Sequence, residues 1–272
     1  MGTATKMHNL AISRANLSRN LLTKITENNG IREIMLNDPK TRNSLSMGMI
    51  NNLLEDLNKG WDDTKLRCIV LSSCGPTIFS AGHNLKELGK DSHLKVFLKF
   101  NELISSIHRA PVPVIAKVDG LAAAAGLQMA ASCDMLVCSE NSTFSTPGVN
   151  FGIFCSTPGI AISRTMPRMK SAYMLFTGLP ITAQDAYISG LVTSVVPSNK
   201  LDNEVDRICS AISAKSREVV KLGKEFYYKQ IEMGISEAYQ CGANIMAENL
   251  SLNDGMEGIR SFVEKRKPNW KS

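Results

Sequence analysis

Between residues 112–118 and 135–139, two largely apolar runs of strand length, the chain reads DGLAAAAGLQMAASCD (119–134). Small residues at 120 and 122–126 let a second backbone, or a ligand, approach this one within contact distance. The pattern predicts a tightly packed helix over 122–132, with Asp134 a structural residue opening the strand after it. A helix between two short strands is the start of an alternation that indicates an α/β core. The flanking sequence agrees. Residues 24–26 and 31–36 read as strands around Asn29-Gly30, a hairpin turn. Ser46 is placed to cap a helix over 46–60 that carries Met49, Leu53, Leu54 and Leu57 on one face. A strand at 68–72 and a helix over 94–109 continue the alternation. Beyond residue 159 strands become rare. Thr182 and Gly190 bracket a short helix, 191–196 is one more strand, and 200–266 reads as three or four helices.

Composition narrows the function classes. No apolar run approaches the ~18 residues of a membrane span. The net charge is +6, and Lys6, Arg14, Arg19 and Lys24 account for four of it, leaving +2 for the remainder. Nucleic-acid binding needs a concentrated basic face, which this balance does not provide. Residues 1–26 hold neither Asp nor Glu, so 1–27 reads as a basic leader of mitochondrial type or as a plain tail; the matrix is the expected compartment and the cytoplasm the alternative. Lys6 spoils a myristoylation pattern, and Trp270-Lys271-Ser272 is not a peroxisomal address. Seven scattered cysteines without a CxxC pair indicate reduced thiols, and four dispersed histidines give no metal cluster.

Two segments carry candidate chemistry. In FSAGHNLKEL (79–88) small residues allow a sharp turn with exposed amides, and a short helix beginning near Asn84 would offer free N–H groups to an anion. The alternative is a turn with no ligand. In 120–128 a helix start again suits close approach by a ligand, or only tight packing.

Taken together, FSAGHNLKEL and DGLAAAAGLQMAASCD resemble the crotonase (enoyl-CoA hydratase/isomerase) family in residue type, order and spacing. STPGVNFG (145–152), LNDPKTRNSL (36–45) and EGIRSFVEKRKP (257–268) extend the resemblance over roughly 30–267. It implies the ClpP/crotonase-like fold: a spiral of repeated ββα units over 28–198 and a helical oligomerisation region over 199–272, assembled as homotrimers or homohexamers. It implies an oxyanion hole for a thioester carbonyl made by the backbone N–H groups of His83 and Ala125. It assigns Arg42, Ala81 and Lys86 to coenzyme A, and Phe262 and Lys265 to the coenzyme of an adjacent subunit. No metal or permanently bound cofactor is implied.

The resemblance breaks where chemistry is concentrated. The positions of the two glutamates that hydrate enoyl thioesters read Gln128 and Gly148. Each positioned acid or base contributes about 10²–10⁴ in rate. Gln128 can hold a water but cannot take its proton, and Gly148 offers only empty volume for a water or a bulkier acyl group. Asn84 and Asn150 do not titrate. His83 is matched through its backbone, and Glu87, His93 and His108 read as surface groups. Three functions compete: an acyl-CoA enzyme with altered chemistry such as decarboxylation of a malonyl-type thioester, a non-catalytic acyl-CoA binding protein, and a conventional hydratase. The missing carboxylates rank the last below the others.

Overall fold

A computed structural model describes residues 22–89 and 93–272. Strands β1 (Thr23–Asn28) and β2 (Ile31–Leu36) form an antiparallel hairpin. Asn29 and Gly30 take φ of 50° and 80°, the paired left-handed conformation that matches strand twist. Since β1 starts at Thr23, a leader boundary at residue 27 falls inside this strand; residues 1–21, which carry most of the leader, lie outside the described residues. Helix α1 (Met47–Asn58) follows, with Ser46 Oγ accepting the Met49 N–H at 3.2 Å, and it buries Met49, Ile50, Leu53, Leu54 and Leu57.

A ββα unit then repeats. Strands β3 (Cys68–Ser73) and β4 (Ile78–Ser80) precede helix α2 (His93–Arg109). Strands β5 (Val114–Val118) and β6 (Leu121–Ala123) precede α3 (Ala125–Ala131). Strands β7 (Met135–Ser139) and β8 (Thr143–Ser145) precede α4 (Ser156–Thr165) and α5 (Arg168–Thr177). Strand β9 (Ile181–Thr182), helix α6 (Ala183–Ile188) and strand β10 (Ser194–Val196) complete the spiral. The first strand of each unit enters a six-stranded sheet of order β1-β2-β3-β5-β7-β10, and the second enters a four-stranded sheet of order β4-β6-β8-β9. Each turn of the spiral thus carries the chain from one sheet to the other, as the crotonase resemblance implied.

The helix expected over 122–132 is shorter than the composition suggests. Residues Leu121–Ala123 pair with β4 and β8, and the helix starts only at Ala125. Alanine favours helix by under about 1 kcal/mol per residue, which strand pairing on both sides overrides.

Four helices end the chain: α7 (Leu201–Ser213), α8 (Arg217–Gln230), α9 (Ile235–Ser251) and α10 (Asn253–Val263). The first is part of the core, since Leu201, Val205, Ile208 and Cys209 bury against Cys68, Val70, Ile115 and Val137 of the large sheet. A boundary at 198/199 therefore cuts through packed structure. Helix α8 is clamped by a buried ion pair, in which Lys224 Nζ meets Asp134 Oδ2 at 2.7 Å and also donates to the Ile107 and Val112 carbonyls. Asp134 further accepts the Tyr228 hydroxyl and the Val114 N–H, the structural role expected of it. Helices α9 and α10 leave Tyr239, Met246, Phe262 and Val263 exposed.

Candidate functional site

Three segments meet at the candidate site: residues 38–45, the chain between Ser80 and His83, and a helix start. Arg42 and Asn43 take φ of 61° and 52°, two successive left-handed residues that fold 38–45 back on itself. The Asn43 side chain donates to the Ile78 carbonyl at 3.1 Å and accepts the Asp38 N–H at 2.9 Å, which fixes this bend from inside. The bend then runs beside β4: the Ala81 N–H donates to Arg42 O at 3.1 Å and the Leu45 N–H to Gly82 O at 2.8 Å. Leu45 and His83 form an isolated parallel bridge.

The third segment is the start of α3. Gly82 has φ +93°, and a Cβ there would stand 2.9 Å from Ala124 Cβ and 3.2 Å from Ala125 N. The peptide that leads into the His83 N–H therefore lies against the Ala125 N–H, and only glycine permits the approach. Ala124 itself has φ 48° and ψ −120°, a region that costs an L-residue about 1–3 kcal/mol. Its N–H donates to Ser145 O at 3.0 Å, and its carbonyl accepts the Gln128 N–H at 2.9 Å. Those bonds and the pressure of Gly82 hold the strained residue, and the strain turns the first amide of α3 out of the strand direction.

Ala125 opens the helix, so its N–H has no intrahelical acceptor. Among the described residues neither it nor the His83 N–H donates a recorded hydrogen bond. Two adjacent free backbone donors can receive one oxygen, and such donors stabilise charge that develops on it by about 10²–10³ in rate each.

The side chains around these amides carry no acid/base pair. The His83 imidazole is packed in place: Nδ1 lies 3.4 Å from Leu45 O, the ring sits edge-on to Phe97 and Phe100 at 5.3 and 4.9 Å, and its buried Nε2 has no hydrogen-bond partner among the described residues. Burial lowers its pKa, against weaker raising effects of the Leu45 carbonyl and Glu87, so the ring is neutral at pH 7. Gln128, one turn along α3 from Ala125, is 4% exposed, and its Oε1 has no hydrogen-bond partner among the described residues. The buried Thr146 hydroxyl, next to Ser145, also lacks one. Gly148 corrects the expectation of empty volume. A Cβ there would overlap the Ile153 carbonyl oxygen and lie 2.8 Å from Cys155 Sγ. Any side chain at 148 would start against backbone and a thiol. Burial raises the Cys155 pKa, partly offset by the Gly148 backbone, so the thiol stays neutral.

The helix expected near Asn84 is only a 3-10 turn, Leu85–Glu87, with Asn84 Oδ1 accepting the Lys86 N–H. Two residues read as surface groups are tied in. Glu87 Oε2 accepts the Met47 N–H at 2.7 Å, and His108 stacks on Tyr228 at 4.5 Å; His93 is exposed as expected. Sequence spacing could not show these, because each partner is distant in the chain: Met47 stands 40 positions before Glu87, and Tyr228 lies on α8. Of the residues expected to contact coenzyme A, Arg42 and Ala81 adjoin the site through their backbone bond, and Lys86 stands exposed on the turn after His83. Phe262, 84% exposed, and Lys265 lie at the end of α10, which packs on α8 and α9. Among the described residues no group of three or more His, Cys, Asp or Glu could hold a metal ion.

Comparison with known proteins matches residues 26–272 to the enoyl-CoA hydratase/isomerase family model. The mitochondrial enoyl-CoA hydratase domain-containing protein 3 of Xenopus laevis is 48% identical over 262 residues, covering 95% of this chain and 89% of that one. The mitochondrial enoyl-CoA hydratase of Pongo abelii is 31% identical, covering 95% and 90%. The crystal structure of human enoyl-CoA hydratase domain-containing protein 3 superposes with a TM-score of 0.90 at 47% identity, covering 92% of this chain and all of that one.

Proposed function

Because this chain belongs to the enoyl-CoA hydratase/isomerase family, we propose that it binds acyl-CoA thioesters with the carbonyl oxygen between the His83 and Ala125 N–H groups, and that it does so without a hydratase acid/base pair. The observation that carries this reading is the pairing of two free amides at Gly82–His83 and Ala124–Ala125, with an amide and a glycine at 128 and 148. Gln128 can hydrogen-bond a water but cannot deprotonate it, and at Gly148 the ground a carboxylate would need is occupied. Loss of both groups removes about 10²–10⁴ each, more than one amide donor returns. Arg42, Ala81 and Lys86 are the coenzyme contacts within the chain, and Phe262 and Lys265 serve a neighbouring subunit. The exposed apolar residues of α9 and α10 support a homotrimer or paired trimers, since large uncovered patches mark interfaces. The mitochondrial names of the relatives support a mitochondrial protein, and acyl-CoA binding there would place it in the matrix, in fatty-acid metabolism.

A second reading has its own support. With no carboxylate at 128 or 148, a β-carboxylate on the acyl group meets no like charge there, and its loss as CO₂ gives an enolate that needs only the two amides. Calorimetric titration with crotonyl-CoA, with enoyl absorbance followed in the same sample, tests the first reading: binding with stable absorbance is expected, and rapid loss of absorbance would refute it. Absence of CO₂ release from malonyl- and methylmalonyl-CoA would dismiss the second.

A further inference from the structure

Ser80 is fully buried and ties together all three segments that build the amide pair. Its hydroxyl donates to the Asn43 carbonyl at 2.8 Å, the residue that pins the left-handed bend. The same oxygen accepts the Gly82 N–H at 3.2 Å, the amide immediately before His83. On its other side it faces α3: a Cβ on Gly126, the residue after Ala125, would stand 2.7 Å from Ser80 Cβ and 2.9 Å from Oγ. One side chain thus fixes the peptide before the first donor, anchors it to the 38–45 bend, and sets the spacing to the helix turn that bears the second donor. Alanine would fill nearly the same volume but leave the buried Gly82 N–H without its acceptor, and that peptide could rotate about the unrestricted glycine φ.

We propose that Ser80 is the positioning residue of the carbonyl site, acting through the Gly82 peptide to hold the His83 N–H beside the Ala125 N–H. This deepens the thioester-binding reading and rests on it. Ser80 does not touch the ligand; it sets the angle between two donors that do. The consequence falls on the carbonyl, because Arg42 and Ala81, expected at the coenzyme, keep their own backbone hydrogen bond when the Ser80 hydroxyl is removed.

The test compares butyryl-CoA with S-butyl-CoA, which keeps the coenzyme, sulfur and chain but lacks the carbonyl oxygen. The ratio of the two affinities, measured by calorimetry on the parent, isolates the amide pair. A parent that binds both equally would overturn the carbonyl reading itself. With a parent preference for the thioester, Ser80→Ala is expected to cut the ratio about tenfold while S-butyl-CoA binding stays unchanged, since a misaligned donor loses most of its bond. Ser106→Ala, another buried serine, should leave the ratio alone. A Ser80→Ala protein that keeps the parent ratio would overturn the positioning role, and equal weakening of both ligands would show a general structural role instead. Should Ser80→Ala fail to fold, Ser80→Cys decides: its weaker sulfur hydrogen bonds predict a fall of about threefold, and an unchanged ratio overturns the proposal.

Discussion

Replacing Gly148 by alanine is the smallest step back toward the side chain that hydratases of this family carry at that position. The added methyl would overlap the Ile153 carbonyl oxygen and press on Cys155 Sγ at 2.8 Å, where ordinary contact begins near 3.4 Å. One neighbour is backbone, so the turn over Pro147–Phe151 must move rather than a flexible side chain. Overpacking of this kind costs about 1–3 kcal/mol. In a domain of this size that corresponds to roughly 2–6 °C in melting temperature. Chemical denaturation and thermal melting of Gly148→Ala measure it directly. Gly223→Ala is the control: it lies within α8, no atom would come within 4 Å of its Cβ, and it should gain about 0.5–1 kcal/mol. The longer step follows the same logic. Gly148→Glu in a Gln128→Glu background cannot seat its carboxylate where the hydratase chemistry needs it, so crotonyl-CoA should persist. A Gly148→Ala protein as stable as the parent, or a double variant with at least about 10² more hydration than Gln128→Glu alone, would refute this account of the filled site.

Other consequences can be measured separately. Ala124→Gly should relieve backbone strain of about 1–3 kcal/mol, less the roughly 0.5–1 kcal/mol entropic cost of glycine, and so raise the urea midpoint; a lower midpoint would show that the left-handed φ of 48° is not strained. His83 and His108 both have pKa values lowered chiefly by burial, so the unfolded chain takes up their protons first. Stability is then complete above about pH 6.5 and is lost as the pH falls toward the folded pKa values; His108→Gln should flatten the urea midpoint between pH 7 and 5, and an unchanged slope would exclude His108 as a contributor. Lys224→Met leaves Asp134 charged and buried without its cation, and should cost about 3–5 kcal/mol by denaturant titration.

The fold was legible where local chemistry and tertiary context agree. Asn29-Gly30, the Ser46 cap and the Thr182 cap each carry their own turn or capping signal, and of the four C-terminal helices α8 does so through Ser216, while α7, α9 and α10 show themselves by length and freedom from breakers. The small sheet was not legible, because its strands are two or three residues long and lie in alanine, serine and threonine whose periodicity is silent; only pairing around the spiral defines them. At the candidate site the motif and its spacing point to residues 83, 125, 128 and 148 as the positions to inspect. Two physical facts could not be read this way. Whether Gly148 faces space or a carbonyl depends on the path of Ile153–Cys155, and whether His83 points at a ligand depends on Phe97 and Phe100, which α2 supplies from fourteen or more residues away. Ser80 drew no attention in the sequence because a buried serine has no distinguishing neighbour pattern; its partners Asn43 and Gly126 are 37 and 46 positions distant.

A carbonyl held by two amides in a site without a proton shuttle has a spectroscopic signature. Crotonyl-CoA labelled with carbon-13 at its thioester carbonyl, mixed with excess protein and followed by isotope-edited infrared difference spectroscopy, reports polarisation and turnover at once. The expected spectrum has the carbonyl band shifted to lower frequency on binding, and that shifted band persists unchanged for hours with the enoyl bands intact. An unshifted carbonyl, or a shifted band that decays promptly to that of a hydrated product, would contradict the account.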